Sequence, residues 1–246
     1  MLSHPTLETL HALGLHGCAA GFKALEADPA AAALSHGEWL ALILEHEITH
    51  RRQKRFAARA ARAKLRHAAV IEEVNYRAVR GLDRTLFRKL ATCQWIRDHR
   101  HLILCGKTGL GKSWLACALG HQACREDISV LYYRVPRLFA ALDRARGDGR
   151  YAKLLASLAR VDLLILDDWG QPLTAEHRRD LMEIVEDRYG RGSLLITSQV
   201  PVNCWHEVIG DPTLADAILD RVIHAAYRID LTGESLRKPQ DGEEPT

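Results

Sequence analysis

The sequence contains six cysteines but no C-x-x-C pair and no regular spacing among them. A disulfide framework or a structural zinc site would need such spacing. We therefore interpret the cysteines as free thiols of a protein from a reducing compartment. They stand at positions 18, 93, 105, 117, 124 and 204.

Long apolar runs are also lacking, as is a basic N-terminal segment followed by an apolar one. The first absence excludes a membrane-spanning helix, and the second excludes a secretory signal peptide. We therefore expect a cytoplasmic protein with no membrane partner. The 246 residues, of which 47% are hydrophobic and 26% charged, are typical of one large globular domain or of a domain with a smaller partner.

Acidic residues are absent between Ile48 and Ile71, although the whole chain is nearly balanced at a net charge of +3. A cationic run on a helix is most often a solvated face. The concentration of positive charge in one segment favours the alternative, a surface for nucleic-acid phosphates. The cations of the run are Arg51, Arg52, Lys54, Arg55, Arg59, Arg62, Lys64 and Arg66. The candidate DNA-binding residues among them are Arg51, Arg52, Lys54, Arg55, Arg59 and Arg62.

Residues 3–67 have the patterning of helices. Ser35 and Glu38 have the spacing of a capping box, which predicts that a helix begins there and continues into the basic run. We expect a helical, basic N-terminal domain over 1–70 that binds DNA or a partner. A second domain is expected over 71–238, with a disordered polar tail at 239–246.

A zinc-protease signature, H-E-x-x-H, occurs at His46, Glu47 and His50. On a helix the two histidines would lie one turn apart and could share a metal ion. Zinc would need a third protein ligand, and the extended pattern with a following glycine and histidine is absent. The cations that follow at Arg51 and Arg52 would also repel a divalent ion. We therefore keep the zinc site only as a minor alternative.

A glycine-rich stretch at 106–113 reads G-x-x-x-x-G-K-S, the pattern of a phosphate-binding loop. The apolar run 101–105 predicts a buried strand before it, and the residues from Trp114 onward predict a helix after it. In this context Lys112 can reach the β- and γ-phosphates of ATP, and the Ser113 hydroxyl can bind Mg²⁺. The alternative is a glycine-rich turn that binds nothing. The predicted ATP-binding residues are Gly106, Lys107, Thr108, Gly109, Leu110, Gly111, Lys112, Ser113 and Trp114.

Strands and helices alternate after this loop, with strands predicted at 130–133, 161–168 and 193–199. Such alternation predicts an α/β fold with a parallel sheet covered on both faces. The fold class expected is thus a parallel-sheet P-loop NTPase core preceded by a small all-α N-terminal domain. In these sheets ligands bind at the carboxyl ends of the strands.

Polar residues follow two of these predicted strands. An apolar strand ends in Asp167 and Asp168, of which the first can hold Mg²⁺ and the second can orient or deprotonate the attacking water. Gln199 ends the next strand, where it could sense the γ-phosphate. The alternatives are an aspartate pair that caps a turn and an ordinary strand-end glutamine.

Together with the phosphate-binding loop, several stretches resemble IstB, the ATPase helper protein of two-gene bacterial insertion sequences. That family is related to DnaC-type helicase loaders within the AAA+ superfamily. The resemblance covers nearly the whole chain. The matching stretches are 81–84, 163–170, 196–202 with Trp205, 210–213, 217–221 and 233–237.

The resemblance implies an AAA+ ATPase that uses ATP and Mg²⁺ and forms a homo-oligomer on double-stranded DNA through its AAA+ interfaces. It also implies that the protein recruits and stimulates a cognate transposase. By matching motif, Arg221 would be the finger that reaches a neighbour's ATP, and Arg237 would be the second sensor in its own subunit. Asp168 stands where AAA+ proteins commonly carry glutamate. The catalytic set implied is Lys112, Asp167, Asp168, Gln199, Arg221 and Arg237.

Two other functions remain open on the sequence. One is a DnaC-like loader that acts on a replicative helicase, and a transposase gene beside this one would argue against it. The other is a DNA-binding protein that holds ATP without turnover. Phosphate release above the background of a Lys112→Ala variant would exclude the second.

Overall fold

The computed structural model describes residues 4–224 and 226–236. The chain divides into two compact units, Met1–Ala58 and Arg59–Thr246. The segment 59–70, which the sequence assigns to the N-terminal domain, groups with the second unit. Within the described ranges, no helix is both long enough and apolar enough to cross a bilayer.

The first unit is helical. It contains α1 (Pro5–Ala12), α2 (His16–Ala27), a 3₁₀ turn at Pro29–Ala33, and most of α3 (His36–Ala63). The helical character predicted for this part of the sequence is confirmed, but α3 ends at Ala63 rather than continuing to residue 67.

The capping box predicted at the start of α3 is confirmed. The backbone N–H of Ser35 donates to Glu38 Oε2 at 2.8 Å, and the N–H of Glu38 donates to Ser35 Oγ at 3.3 Å. Further along, α2 approaches α3 closely at Gly17, where an added Cβ would lie 2.5 Å from the Cα of Glu47. Since the obstacle is backbone, only glycine fits at this helix contact.

The second unit is built on five strands, β1 (His101–Gly106), β2 (Val130–Arg134), β3 (Leu163–Trp169), β4 (Ser193–Ser198) and β5 (Ala226–Leu231). Every pairing is parallel, and the order is β2-β3-β4-β1-β5. Strands β1 to β4 lie on the predicted strand segments, whereas β5 was not predicted. The parallel α/β sheet expected from the sequence is confirmed.

Helices cover both faces of this sheet. They are α4 (Arg84–Ala91), α5 (Gln94–Arg97), α6 (Lys112–Arg125), α7 (Val135–Gly147), α8 (Tyr151–Arg160), α9 (Ala175–Arg188), α10 (Trp205–Ile209) and α11 (Pro212–Ile223). On one face, Leu164 and Leu166 belong to a buried cluster with side chains of α7 to α11. On the other face, Ile165 contacts α6 at Gly120, where a Cβ would lie 2.8 Å from its terminal methyl group. Successive residues of β3 therefore alternate between two layers of helices.

Candidate nucleotide site

The phosphate-binding loop joins β1 to α6. Three of its glycines have positive φ, 144° at Gly106, 90° at Gly109 and 82° at Gly111. A Cβ on Gly106 would lie 2.5 Å from the carbonyl oxygen of Leu231, and one on Gly109 would lie 1.9 Å from Ser235 Oγ. The loop therefore needs glycine both for its backbone angles and for its contacts with the last residue of β5 and the chain after it.

Lys112 is the first residue of α6 and is buried. Its Nζ donates to the carbonyl oxygens of Gly106 at 2.6 Å and Lys107 at 2.8 Å. The ammonium thus lies over the loop, at the helix N-terminus that attracts anions. By contrast, the side chain of Lys107 is exposed.

Asp167 is fully buried at the end of β3. Its Oδ1 accepts from Ser113 Oγ at 2.7 Å and from Thr197 Oγ1 at 2.5 Å, while Oδ2 accepts from the Tyr132 hydroxyl at 2.6 Å. Burial and this hydrogen bond raise the pKa of Tyr132, so the phenol remains a donor. Arg66 lies 4.0 Å from Asp167 Oδ2 and partly balances its charge.

The hydroxyl of Ser113 and the carboxylate of Asp167, which the sequence predicts to share a metal ion, are thus brought together. Oxygen ligands of this kind suit Mg²⁺, which is usually bound through one or two carboxylates, waters and substrate phosphates. These two side chains therefore fit the ion expected from the sequence. The hydroxyl of Thr197 is a further oxygen at the same carboxylate.

Asp168 has quite different surroundings from its neighbour. Its φ is 67°, a left-handed conformation, and its N–H donates to Thr197 Oγ1 at 3.1 Å. One carboxylate oxygen accepts from Arg134 at 2.6 Å, and this contact raises the pKa of Arg134. The other accepts from Gln199 Nε2 at 3.5 Å, and Gln199 Oε1 accepts from Thr108 Oγ1 at 2.6 Å. Gln199 therefore joins the phosphate-binding loop to Asp168.

These groups line one cavity of about 550 Å³ at the carboxyl edge of the sheet. The sequence-predicted residues in its lining are Thr108, Gly109, Gly111, Lys112, Ser113, Trp114, Asp167, Asp168 and Gln199. The cavity is also lined by Arg66, His67, Glu73, Asn75, Arg80, Arg134, Thr197 and Leu236. Most of the predicted loop residues and the predicted strand-end residues thus line one cavity, whereas Gly106, Lys107 and Leu110 are not among the described residues of its lining.

Arg80 is a site residue that the sequence analysis missed. It is buried, and its guanidinium donates to the carbonyl oxygens of Leu110 at 3.1 Å and Asn75 at 3.3 Å. Burial lowers its pKa. Its NH1 lies 2.7 Å from where a Cβ on Gly111 would be, so the guanidinium packs against the phosphate-binding loop. A lone arginine in a predicted connecting segment has no sequence pattern that indicates this role. Arg134, which also lines the cavity, directly follows a predicted strand, and that position could have indicated it.

Of the two arginines expected from the family motifs, the structure describes only Arg221. Arg221, on α11, is absent from the cavity lining in the described part of the chain. Its Nε lies 2.7 Å from Glu186 Oε2, and its NH1 donates to Ala217 O at 2.8 Å. Arg237 lies outside the described residues. The preceding residue, Leu236, donates its N–H to Gly109 O at 3.0 Å, so the described end of the chain contacts the loop.

The basic run lies on the exposed part of α3 and just beyond it. Arg51, Arg52, Lys54, Arg55 and Arg62 are exposed. Arg51 and Arg59 each have a carboxylate partner. Arg51 Nε lies 2.7 Å from Glu47 Oε1, and Arg59 NH2 lies 2.5 Å from Asp127 Oδ1.

The H-E-x-x-H residues have a structural explanation. Glu47 is buried and accepts from the N–H of Cys18 at 2.9 Å and from Arg51 Nε at 2.7 Å. The hydrogen bond from Arg51 is the largest cause of its lowered pKa. Within the described ranges, no group of three or more His, Cys, Asp or Glu side chains could hold a metal ion. Glu47 thus holds α2 to α3.

Comparison with solved structures identifies proteins with a similar fold. The DnaI crystal structure matches with a TM-score of 0.59 at 23% identity, over 67% of this chain and 92% of that one. The DnaC helicase loader matches with a TM-score of 0.52 at 18% identity, over 71% and 99%. DnaA bound to AMPPCP and single-stranded DNA matches with a TM-score of 0.56 at 16% identity, over 70% and 52%. The second unit thus shares its fold with these proteins.

Comparison with known sequences is more specific. The chain is 61% identical to y4pL of Sinorhizobium fredii over 98% of both chains, and that protein's name assigns it to an insertion sequence and to ATP binding. It is 45% identical to the IS1162 protein of Pseudomonas fluorescens, whose name makes the same assignment, over 82% of this chain and 88% of that one. The profile of the family described as IstB-like ATP binding protein matches residues 8–243. The chain therefore belongs to the family of IstB-like ATP-binding proteins.

Proposed function

We propose that this protein is an ATPase that assembles on duplex DNA in the cytoplasm and assists the transposase of its insertion sequence. The observation that supports it most is the grouping of Lys112, Ser113, Asp167 and Asp168 around one cavity. ATP-binding proteins of insertion sequences are its relatives. One cavity thus combines a phosphate-binding loop with both carboxylates that hydrolysis requires.

In this proposal each residue of the cavity has a role that its contacts support. The loop N–H groups and Lys112 bind the phosphates, and Lys112 exchanges its loop carbonyl partners for phosphate oxygens. Ser113 and Asp167 would hold Mg²⁺, which would supply positive charge at the phosphates. Asp167 is held in place by Tyr132 and Thr197.

Asp168 is the proposed base that orients the attacking water. It is more exposed than Asp167, with 31% of its side chain accessible against 1%. Its greater exposure leaves room for a water beside its carboxylate. Gln199 lies between Thr108 and Asp168, where it can register the γ-phosphate.

The remaining roles belong to the assembled protein. Arg221 is proposed to act on a neighbouring subunit's ATP, and Arg237 on the ATP of its own subunit. DNA is proposed to lie along the exposed cations of α3. Arg51 and Arg59 each pair with a carboxylate, and Arg52, Lys54 and Arg62 are exposed.

The alternative is a loader for a replicative helicase, because the folds of DnaC and DnaI match the core. Mixing the purified protein with a replicative helicase and, separately, with the transposase encoded beside it distinguishes the two. Stimulation of strand transfer is the expected result. Helicase loading without an effect on the transposase would favour the alternative.

The DNA-binding part is tested by titrating a labelled duplex at several salt concentrations. A triple variant, Arg52→Ala with Lys54→Ala and Arg55→Ala, should bind duplexes of any sequence more weakly. Its log–log salt slope should be shallower by about 0.9 for each lost phosphate contact. The matched control removes three exposed cations of the second unit, through Lys153→Ala, Arg160→Ala and Arg191→Ala. Equal slopes for wild type and the α3 variant would overturn the assignment of DNA to α3.

A further inference from the structure

A second cavity, of about 500 Å³, lies beside the nucleotide site in the second unit. Its lining contains five cationic side chains, two tyrosines and one alanine, and no acidic residue. The lining residues are Lys64, Arg66, Tyr132, Tyr133, Arg134, Arg137, Ala141 and Arg144. A concave surface of one charge sign concentrates oppositely charged ligands. We call this surface the basic cavity.

The basic cavity is built from three parts of the chain. The end of β2 supplies Arg134, and the turn after α3 supplies Lys64 and Arg66. Lys64 has a φ of 54°, so the chain turns sharply where the helix ends. Lys64 and Arg66 are the last two cations of the basic run in the sequence.

The third part is one face of α7. Arg137, Ala141 and Arg144 are spaced i, i+4 and i+7, so they lie in a single stripe. The alanine leaves space between the two arginines, which are separated by about 10 Å along the helix axis. Both arginines are exposed. A stripe of this length is more than one phosphate group needs and suits a chain of phosphates.

The charges of this lining are only partly compensated. Arg134 pairs with Asp168, and Arg66 lies near Asp167, so both carboxylates lie on the side of the nucleotide site. Among the described residues, no carboxylate oxygen lies within 4.0 Å of the charged nitrogens of Lys64, Arg137 or Arg144. The Nε of Arg134 is buried without a hydrogen-bond partner in the described chain. Like charges held together in this way favour an anion between them.

We propose that the basic cavity is a second binding site for the phosphodiester backbone of DNA. The proposal rests on the proposed function, in that DNA is the polyanion this protein acts on. Arg66 and Arg134 line both this cavity and the nucleotide cavity. A DNA strand bound here therefore passes next to Asp168. The contacts go to phosphates and carry no base information.

The test is a double variant of the full chain, Arg137→Ala with Arg144→Ala, titrated against a labelled duplex at several salt concentrations. Neither residue lines the nucleotide cavity within the described chain. The control is Lys153→Ala with Arg160→Ala, which removes the same charge from the exposed surface of α8. A conservative variant, Arg137→Lys with Arg144→Lys, keeps the charge.

We expect the Ala variant to flatten the log–log salt slope by about 1.8, from two phosphate contacts at about 0.9 each. The control and the Lys variant should keep the wild-type slope, and all variants should keep their affinity for ATP. Wild-type DNA binding with an unchanged slope in the Ala variant would overturn this site alone. An Ala variant that binds DNA as wild type does, and loses only the inhibition of DNA binding by inorganic phosphate, would show that the cavity is a simple anion site. That result would also overturn the proposal.

The outcomes for the two proposals are distinct. If the wild-type chain binds no DNA, the proposed function fails, and this site fails with it. If the α3 variant binds normally while the Arg137 and Arg144 variant does not, the basic cavity stands and the assignment to α3 is wrong.

Discussion

Asp167 and Asp168 are adjacent in the chain, yet their carboxylates have different partners. Asp167 is buried among the hydroxyl groups of Ser113, Thr197 and Tyr132, whereas Asp168 contacts Arg134 and Gln199. Asp168 also has a left-handed φ of 67°. A difference of this kind lets one carboxylate hold a metal ion while the other acts on water.

Asp168→Asn should therefore leave ATP binding within about a factor of two and lower the hydrolysis rate by about a hundredfold or more, because it removes only the base. Phosphate release and nucleotide titration measure the two effects. The comparison variant is Asp167→Asn, which should weaken Mg²⁺-dependent ATP binding itself. Loss of ATP binding in Asp168→Asn would mean that the two roles are reversed.

His101 makes stability depend on pH. It is buried at the start of β1, and its Nδ1 accepts from the N–H of Leu194 at 3.1 Å. Burial, with the nearby charge of Arg188, lowers its pKa from 6.5 to about 4. The unfolded chain therefore binds this proton at higher pH than the folded chain does, so acid favours unfolding.

Between pH 6.5 and 4, His101 should lower the free energy of unfolding by up to about 3 kcal/mol. Urea unfolding of wild type and His101→Asn over this range measures it, since asparagine keeps an acceptor but does not titrate there. His99→Asn changes an exposed histidine and serves as the control. The pH dependence of His101→Asn should be flatter than that of wild type. Parallel curves would contradict this explanation.

Among the elements, strands buried on both faces were the easiest to predict. β1, β3 and β4 are nearly continuous apolar runs, and polar residues mark their carboxyl ends. β5 was missed because it is an edge strand that is only partly buried, and its residues Arg228 and Asp230 interrupt the apolar pattern. Arg80 was missed for another reason, since its role depends on contacts with Leu110 and Asn75 that no local pattern encodes.

The close contact between α2 and α3 predicts that the first unit is sensitive to a substitution at Gly17. A Cβ added at Gly17 would lie 2.5 Å from the Cα of Glu47 and 2.6 Å from the carbonyl oxygen of His46. Gly17→Ala should therefore force the helices apart and destabilise the first unit by about 1–3 kcal/mol, the usual cost of overpacking.

Thermal unfolding followed by helical circular dichroism measures this effect. Gly37→Ala is the matched control, because nothing lies within 4 Å of a Cβ at Gly37, near the start of α3. That change should be neutral or slightly stabilising, since alanine favours a helix more than glycine does. If Gly17→Ala melted at the same temperature as Gly37→Ala, the close approach of α2 and α3 would be contradicted.

In the whole molecule, the proposed role of Arg221 requires two subunits at each active site. Arg221 does not line the nucleotide cavity of its own chain within the described residues, and it pairs with Glu186. Arg221→Ala should keep ATP binding and lose most hydrolysis in the assembled protein. Glu186→Gln breaks the same ion pair but keeps the guanidinium, so it should retain hydrolysis.

Mixing Arg221→Ala with Asp168→Asn tests action between subunits. One variant supplies an intact site and the other an intact finger, so an equal random mixture should recover activity at about a quarter of its interfaces. Phosphate release as a function of mixing ratio gives the result. An absence of recovery at every ratio would show that Arg221 does not act on a neighbour's ATP.

The central claim is that ATP held by the phosphate-binding loop drives assembly on duplex DNA. Sedimentation velocity or electron microscopy of the protein with a duplex, with ATP and with ADP, tests it most directly. We expect large DNA-bound assemblies with ATP for wild type and for Lys107→Ala, whose side chain is exposed and is not in the described lining of the nucleotide cavity. We expect none for Lys112→Ala, which removes the ammonium over the loop. Assemblies of equal size for Lys112→Ala, or for wild type with ADP, would contradict the claim.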